Sequence, residues 1–184
     1  MTKLVKTSLF IGTLIGLTLA ANIILKSSKP IAEHVDAKEV IEHVETYIGK
    51  TIETEGRIVH VCGVSKKKMR LYVENIGSIN IITEKPNLTF DGNFNQKDIK
   101  VVGTVKEIRI TSKQIDDMEQ SIAIPCSIDR LACIDTAYVE NKRRNGTLEK
   151  SSQQGIEQSR ETMKETGKDY ISIVTIVAES VDLK

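Results

Sequence analysis

Tryptophan is absent from the 184 residues, and four tyrosines with three phenylalanines make up the whole aromatic complement. So few rings cannot build a base-stacking platform or wall an aromatic cofactor box. An excess of one charge is also missing. The 26 Lys and Arg stand against 25 Asp and Glu, a balance too even for the field alone to recruit nucleic acid or an anionic membrane. No Gly-rich phosphate loop is present, no Ser or Cys nucleophile sits beside a His in a recognisable frame, and no paired carboxylates stand in apolar surroundings. The expectation is that the protein is not an enzyme. Cysteine occurs three times and never before Cys62, which excludes a diacylglyceryl lipid anchor near the N-terminus. What remains is 40% apolar and 28% charged, enough for one compact domain with an appendage and too little chain for two ordinary enzyme domains.

The one long hydrophobic run lies at residues 9–25, with Lys3 and Lys6 before it and Lys26 and Lys29 after it. As a helix it reaches roughly 25 Å, just short of a hydrocarbon core of about 30 Å. That places it on the border between a cleaved export signal and an uncleaved membrane anchor. Thr18-Leu19-Ala20 offers a mediocre cleavage site, and apolar residues continue past it through Ile23, Ile24 and Leu25, which favours the anchor. The flanking lysines direct the rest of the chain away from the cytoplasm. Residues 1–29 are therefore read as signal peptide or membrane anchor with a short linker. Residues 30–184 are read as a domain in the cell envelope on the periplasmic or extracytoplasmic side, with the membrane as a partner through residues 9–25.

A well-marked helix start follows. Asp36 suits an N-cap with Glu39 in a capping box, and Val35 and Val40 suit a hydrophobic staple. Val40, Ile41, Val44, Tyr47 and Ile48 then share a face, and Gly49 is the stop. From Thr51 the period shortens to two. Residues 51–62, 68–73, 78–83, 99–110 and 170–181 read as five strands. The first and fourth are long, change buried parity along their length, and carry Gly56 and Gly103 where a coiled strand bends. Residues 85–97 read as a polar loop with room for one helical turn. Residues 112–168 read as a polar insertion: 141–159 show little apolar periodicity and are expected to be partly mobile, and 159–166 suit a solvated helix ended by Gly167. This order predicts a mainly β protein, a five-stranded OB-fold barrel preceded by an N-terminal helix, with an insertion at about 112–168 before the last strand. A small β-sandwich is the competing arrangement.

The stretch Tyr47-Ile-Gly-Lys-Thr-Ile-Glu-Thr-Glu-Gly56-Arg-Ile-Val-His60-Val-Cys62, followed by Lys67-Lys68-Met69, resembles a group of exported bacterial OB-fold proteins. That group is common in Bacteroidetes-type genomes and is related to the tRNA-anticodon-binding-like OB domains. In it, a strand ending in His-x-Cys is followed by a short turn and a Gly-Lys-Lys or Gly-Lys-Arg step. The ending Gly167-Lys-Asp-Tyr-Ile-Ser-Ile-Val, after a helix with Glu157 and Arg160, is similar to the group's closing helix and strand. The resemblance covers about residues 31–110 and 155–184. It implies an exported OB domain and brings no established activity with it. At Gly63-Val64-Ser65 the chain departs from the group, which often has a further His there.

Four residues carry ligand chemistry. His60 and Cys62, two apart on a strand, leave the same face about 7 Å apart unless a bulge intervenes. With Cys126 and Cys133 they compose a three-cysteine, one-histidine set suited to zinc or another thiophilic metal. Three readings stay open: a metal site from these four, a Cys126–Cys133 disulfide with Cys62 buried and inert, or thiols that are simply core residues. If residues 127–138 were one regular helix reaching back to Cys126, the two Cα atoms would lie roughly 10 Å apart, too far to bridge. A disulfide therefore requires a turn between them. Lys66, Lys67, Lys68 and Arg70 form a basic patch at the first hairpin, near the binding face of nucleic-acid-binding OB-folds, and equally an ordinary solvated hairpin. His34 and His43 are expected at the surface. The function expected is an exported, membrane-tethered OB-fold binding or interaction module of the cell envelope. Its ligand is unassigned, with a metal in view and an envelope protein as a further candidate partner; a nucleic-acid-binding OB domain is the alternative.

Overall fold

The computed structural model describes residues 32–184. The hydrophobic run at 9–25 and the linker through residue 29 lie outside the described residues, and the signal or anchor expectation falls on them. The described chain opens with a two-residue strand, β1 (Glu33–His34), then two short helices, α1 (Ala37–Glu42) and α2 (Val44–Tyr47). Asp36 is the N-cap, accepting the Lys38 N–H at 2.7 Å. Val35 and Val40 are both buried, as a staple requires. Two details differ from the single capped helix that the sequence predicts. The Glu39 carboxylate does not close a capping box; it accepts the Tyr47 hydroxyl instead. Eight residues of straight helix would hold those two about 12 Å apart along the axis. The break at His43 (φ −130, ψ 41) lets them meet.

Five strands close the barrel: β2 (Thr51–Val61), β3 (Lys68–Val73), β4 (Gly77–Ile82), β5 (Asp98–Thr111) and β6 (Tyr170–Leu183). β2 pairs antiparallel with β3, and β3 with β4; β4 runs parallel to β6, β6 antiparallel to β5, and β5 returns to β2. That last pairing removes the open edge and makes this a mixed, OB-like barrel rather than a two-sheet sandwich. β1, too short for the sequence pattern to signal, lies parallel to the first half of β2. The loop before β5 contains one 3-10 turn, Gly92–Phe94.

The parity change in β2 has a local cause. In β2 the register against β3 shifts between Ile58 and His60, so Val59 is the extra residue and burial passes from Ile58 to Val61. Opposite Val102 and Gly103 of β5 the register against β6 shifts, Glu179 of β6 being the extra residue, and Gly103 faces Ala178. Gly103 has no room for a side chain: a Cβ there would stand 2.4 Å from the Val177 carbonyl oxygen and 2.9 Å from Ala178 Cα. Gly56 is crowded less severely, by the Leu71 side chain at 2.7 Å. The barrel core includes Ile58, Met69, Leu71, Ile81, Val105 and Ile176, all fully buried.

The insertion is largely helical, including the stretch 141–159 where the sequence shows little apolar periodicity. It holds α3 (Ser112–Gln120), α4 (Thr136–Arg144) and α5 (Leu148–Thr166), the last ended by Gly167 at φ 65 as anticipated. α5 begins 11 residues before the helix expected at 159. Its buried positions are Ser152, Ile156 and Ser159, a helical stripe written mostly in small polar residues, which apolar periodicity does not register. Each serine hydroxyl has an acceptor: Ser152 donates to the Ala123 carbonyl at 2.8 Å and Ser159 to the Gly155 carbonyl at 2.8 Å. A second cluster built on Ile110, Ile115, Met118, Ile156, Ile171 and Ile173 fastens α3 and α5 to the far ends of β5 and β6.

Candidate functional site

The bulge at Val59 resets β2 just before its end and delivers an exposed His60 and a half-buried Cys62 to the barrel rim. The insertion supplies the opposite wall. Between α3 and α4 the chain makes a tight ribbon: the Cys126 N–H donates to the Leu131 carbonyl at 2.7 Å, the Cys133 N–H to Ile124 at 2.8 Å, and the Arg130 N–H to Cys126 at 3.0 Å. Pro125 is bridged to Ala132, and Arg130 takes the left-handed conformation at φ 59. In this ribbon Cys126 stands opposite Leu131. Cys126 and Cys133 therefore leave the same face on a diagonal, a separation of about 7 to 8 Å between Cα atoms. The turn that a disulfide would require is present, and the regular helix considered for 127–138 is not: α4 starts at Thr136, capped by Asp135, which accepts the Tyr138 N–H at 2.9 Å. All three cysteines are free thiols.

Contacts from both sides hold the ribbon in place. On the insertion side Pro125 packs into the notch at Gly155 of α5, where a Cβ would come within 2.7 Å of the proline ring. On the barrel side Arg70 donates to the Ser127 carbonyl at 2.7 Å, and Lys68 Nζ meets Asp129 Oδ2 at 2.6 Å. Those Lys68 and Asp129 side chains are only 11% and 13% exposed, so this is a charge pair largely removed from water.

A cavity of about 330 Å³ lies between rim and ribbon, lined by His60, Cys62, Gly63, Cys126, Cys133 and Tyr138 among others. The four residues singled out for metal or disulfide chemistry thus share one cavity. Two of its lining residues, Ile134 and Tyr138, are large hydrophobic side chains exposed at the surface. Burial, and then the charge of Arg70, lower the His60 pKa, so the imidazole is neutral at neutral pH, the form that ligates metals. Burial raises the Cys62 thiol, but the Ser65 hydroxyl, the backbone around Val64 and Ser65, and Lys68 together pull it below its ordinary value. Cys133 goes the other way, pushed up chiefly by burial. Burial would depress Lys68; Asp129 more than reverses it. Among the described residues, the one His, Cys, Asp and Glu group whose ligating atoms all fall within 4.8 Å of one another is His34, Glu53 and Glu55, at the sheet edge. There Glu53 already faces Lys100 at 3.2 Å and Glu55 is paired with Lys184. The cavity's own donors surround it without converging to that degree.

The basic patch is not a free cationic face. Lys67 Nζ donates to three carbonyls, Lys85 at 2.7 Å, Pro86 at 3.0 Å and Leu88 at 2.7 Å. Lys68 is buried against Asp129 and Arg70 is held by Ser127. Of the patch, Lys66 alone is fully on the surface. The reason is topological: the loop at 85–88 takes up Lys67, and the insertion brings Asp129 and Ser127 to Lys68 and Arg70 at the start of β3. Sequence reasoning missed the structural role of Asp129 and the lining residues Ile124, Pro125, Ile134, Asp135 and Tyr138. Asp135 ahead of Thr136 carries an N-cap signal; the others carry none. His34 and His43 are exposed, as expected.

No family model matches this sequence, and no curated protein does. Among solved structures, the chain is similar to a DUF3299 family protein from Pseudomonas aeruginosa PAO1. The identity is 9%, over 76% of this chain and 64% of that one, with a TM-score of 0.35. The chain therefore spans less than two thirds of that protein's length. At this distance the likeness says nothing about function, and the fold rests on the strand pairings described above.

Proposed function

We propose that this chain is an exported, membrane-tethered OB-fold binding module of the cell envelope, whose ligand seat is the cavity between the end of β2 and the ribbon at 124–135. The carrying observation is that His60 and Cys62 from the barrel, and Cys126 and Cys133 from the insertion, line one cavity although they lie far apart in sequence. The run at 9–25 with its flanking lysines supports export and tethering, as does the resemblance to exported OB-fold proteins. The nucleic-acid alternative has less to support it, because Lys67 and Arg70 are held by backbone carbonyls, Lys68 is buried against Asp129, and Tyr72 is the sole aromatic beside them on β3.

Gly63 gives a clean test. It lines the cavity, and nothing lies within 4 Å of where its Cβ would be, so Gly63→Leu adds a bulky side chain at the cavity wall with no clash at its Cβ. Full-length protein extracted from its native membranes should show, in native mass spectra, an adduct that denaturation releases and that Gly63→Leu lacks. An adduct-free wild type, or one unchanged by Gly63→Leu, would contradict the reading.

A further inference from the structure

Resting on that reading of the cavity, we propose that its ligand is a thiophilic closed-shell metal ion, Zn2+ or Cu+, held by Cys62, Cys126 and Cys133 with His60 as the fourth donor. The donor types select the ligand. Thiolate sulfur favours Zn2+ and Cu+ over Mg2+ and Ca2+, and three thiolates with one imidazole complete a tetrahedral shell. One cavity gathers these donor types from two parts of the chain. Cys126 and Cys133 emerge from one face of the ribbon, whose hydrogen bonds fix their backbone. Cys62 and His60 approach from the barrel rim across the same cavity. The Lys68 ammonium, itself paired with Asp129, lies close enough to interact electrostatically with all three thiols.

The four donors stand apart across the cavity, since no three of their ligating atoms lie within 4.8 Å of one another. Coordination distances of about 2.0 to 2.3 Å therefore require the cysteine and histidine side chains to rotate into the cavity, which ties the ribbon to the end of β2. Binding should leave a dynamic signature, slower amide exchange across residues 124–135 in the loaded protein. The other ligand cluster, His34 with Glu53 and Glu55, offers no such seat, because its carboxylates already face Lys100 and Lys184.

The test uses reduced full-length chain in detergent, titrated under argon with Zn2+ alone and with Cu+ alone, each against a chromophoric chelator. The expected result is one equivalent of at least one ion per chain, three thiols shielded from a thiol reagent, and slowed exchange at 124–135. Cys126→Ser should weaken binding by about a hundredfold or more, the scale on which even the outer partners of a metal site act. His60 is exposed, so His60→Ala leaves the fold intact and should weaken binding by about tenfold or more. Which ion binds tightly identifies the ligand. Failure of both ions to bind, or binding indifferent to both substitutions, overturns the metal assignment. If the adduct lost in Gly63→Leu persists while neither ion binds, the cavity is still a binding seat and the metal alone is wrong. If the adduct is also absent, both readings fall.

Discussion

Asp129 balances a buried ammonium. Removing one partner of such a pair leaves the other charge desolvated and unpaired, whereas replacing both with apolar groups can be nearly neutral. Asp129→Asn should therefore cost about 3 kcal/mol in urea unfolding, and the double replacement Lys68→Met with Asp129→Leu should recover most of it. Equal losses in the single and double variants would show that the pair is not electrostatically isolated. Glu107 gives the pH counterpart. Burial raises its pKa, but the Ser172 hydroxyl and Arg109 lower it more, so the net shift is down. A depressed carboxylate contributes stability that is fully present above its unfolded pKa, about 4.3, and is lost as pH falls through the lower folded value. The urea midpoint of Glu107→Gln should thus fall less between pH 5 and pH 3 than that of the parent; an identical fall would contradict the assignment.

Elements in this chain are set by where backbones must touch. Gly103 faces the Val177 carbonyl at a distance no Cβ tolerates, and because the obstacle is backbone, relief means separating β5 from β6. Gly103→Val should destabilise the fold by about 3 kcal/mol, the upper part of the range for overpacking. An unchanged denaturation midpoint would mean that the strands part freely there. This position was legible from sequence because a lone glycine in a β-branched run signals a bulge or a close approach. All five barrel strands were legible for the related reason that period-two burial is written in Ile, Val, Leu and Met. α5 was not, since Ser152 and Ser159 occupy its buried stripe and look like surface. β1 is too short to have a period. For the candidate site, His60, Cys62, Cys126 and Cys133 were legible as chemical types, but their meeting was not. It depends on a ribbon whose left-handed Arg130 no propensity announces, and on a helix notch at Gly155. The partners of the basic patch were not legible for the same reason: nothing in the sequence around Lys68 and Arg70 points to Asp129 and Ser127, 61 and 57 residues on.

At the scale of the whole molecule, a closed five-stranded barrel contributes a rigid rim, and the insertion between β5 and β6 turns that rim into a walled cavity. Neither part has the seat alone. The N-terminal run adds the proposed address. Apolar residues past Ala20 favour retention, so intact-mass analysis should find residues 1–29 still attached, and the protein should stay with membranes through a high-salt wash. A mature start near Ala21 would contradict the tether while leaving export in place.

Whether four donors from two parts of the chain form one ligand seat is decided by thiol accessibility in protein taken from its native membrane. Full-length chain is extracted under argon and its reactive thiols are counted before and after a strong chelator. We expect the three cysteines to be shielded at first and to titrate together once the chelator is added, with metal released in one equivalent. A count that the chelator does not change contradicts a shared metal seat: one reactive thiol would signify a Cys126–Cys133 disulfide with Cys62 alone, and three would signify thiols that share a cavity but hold no metal.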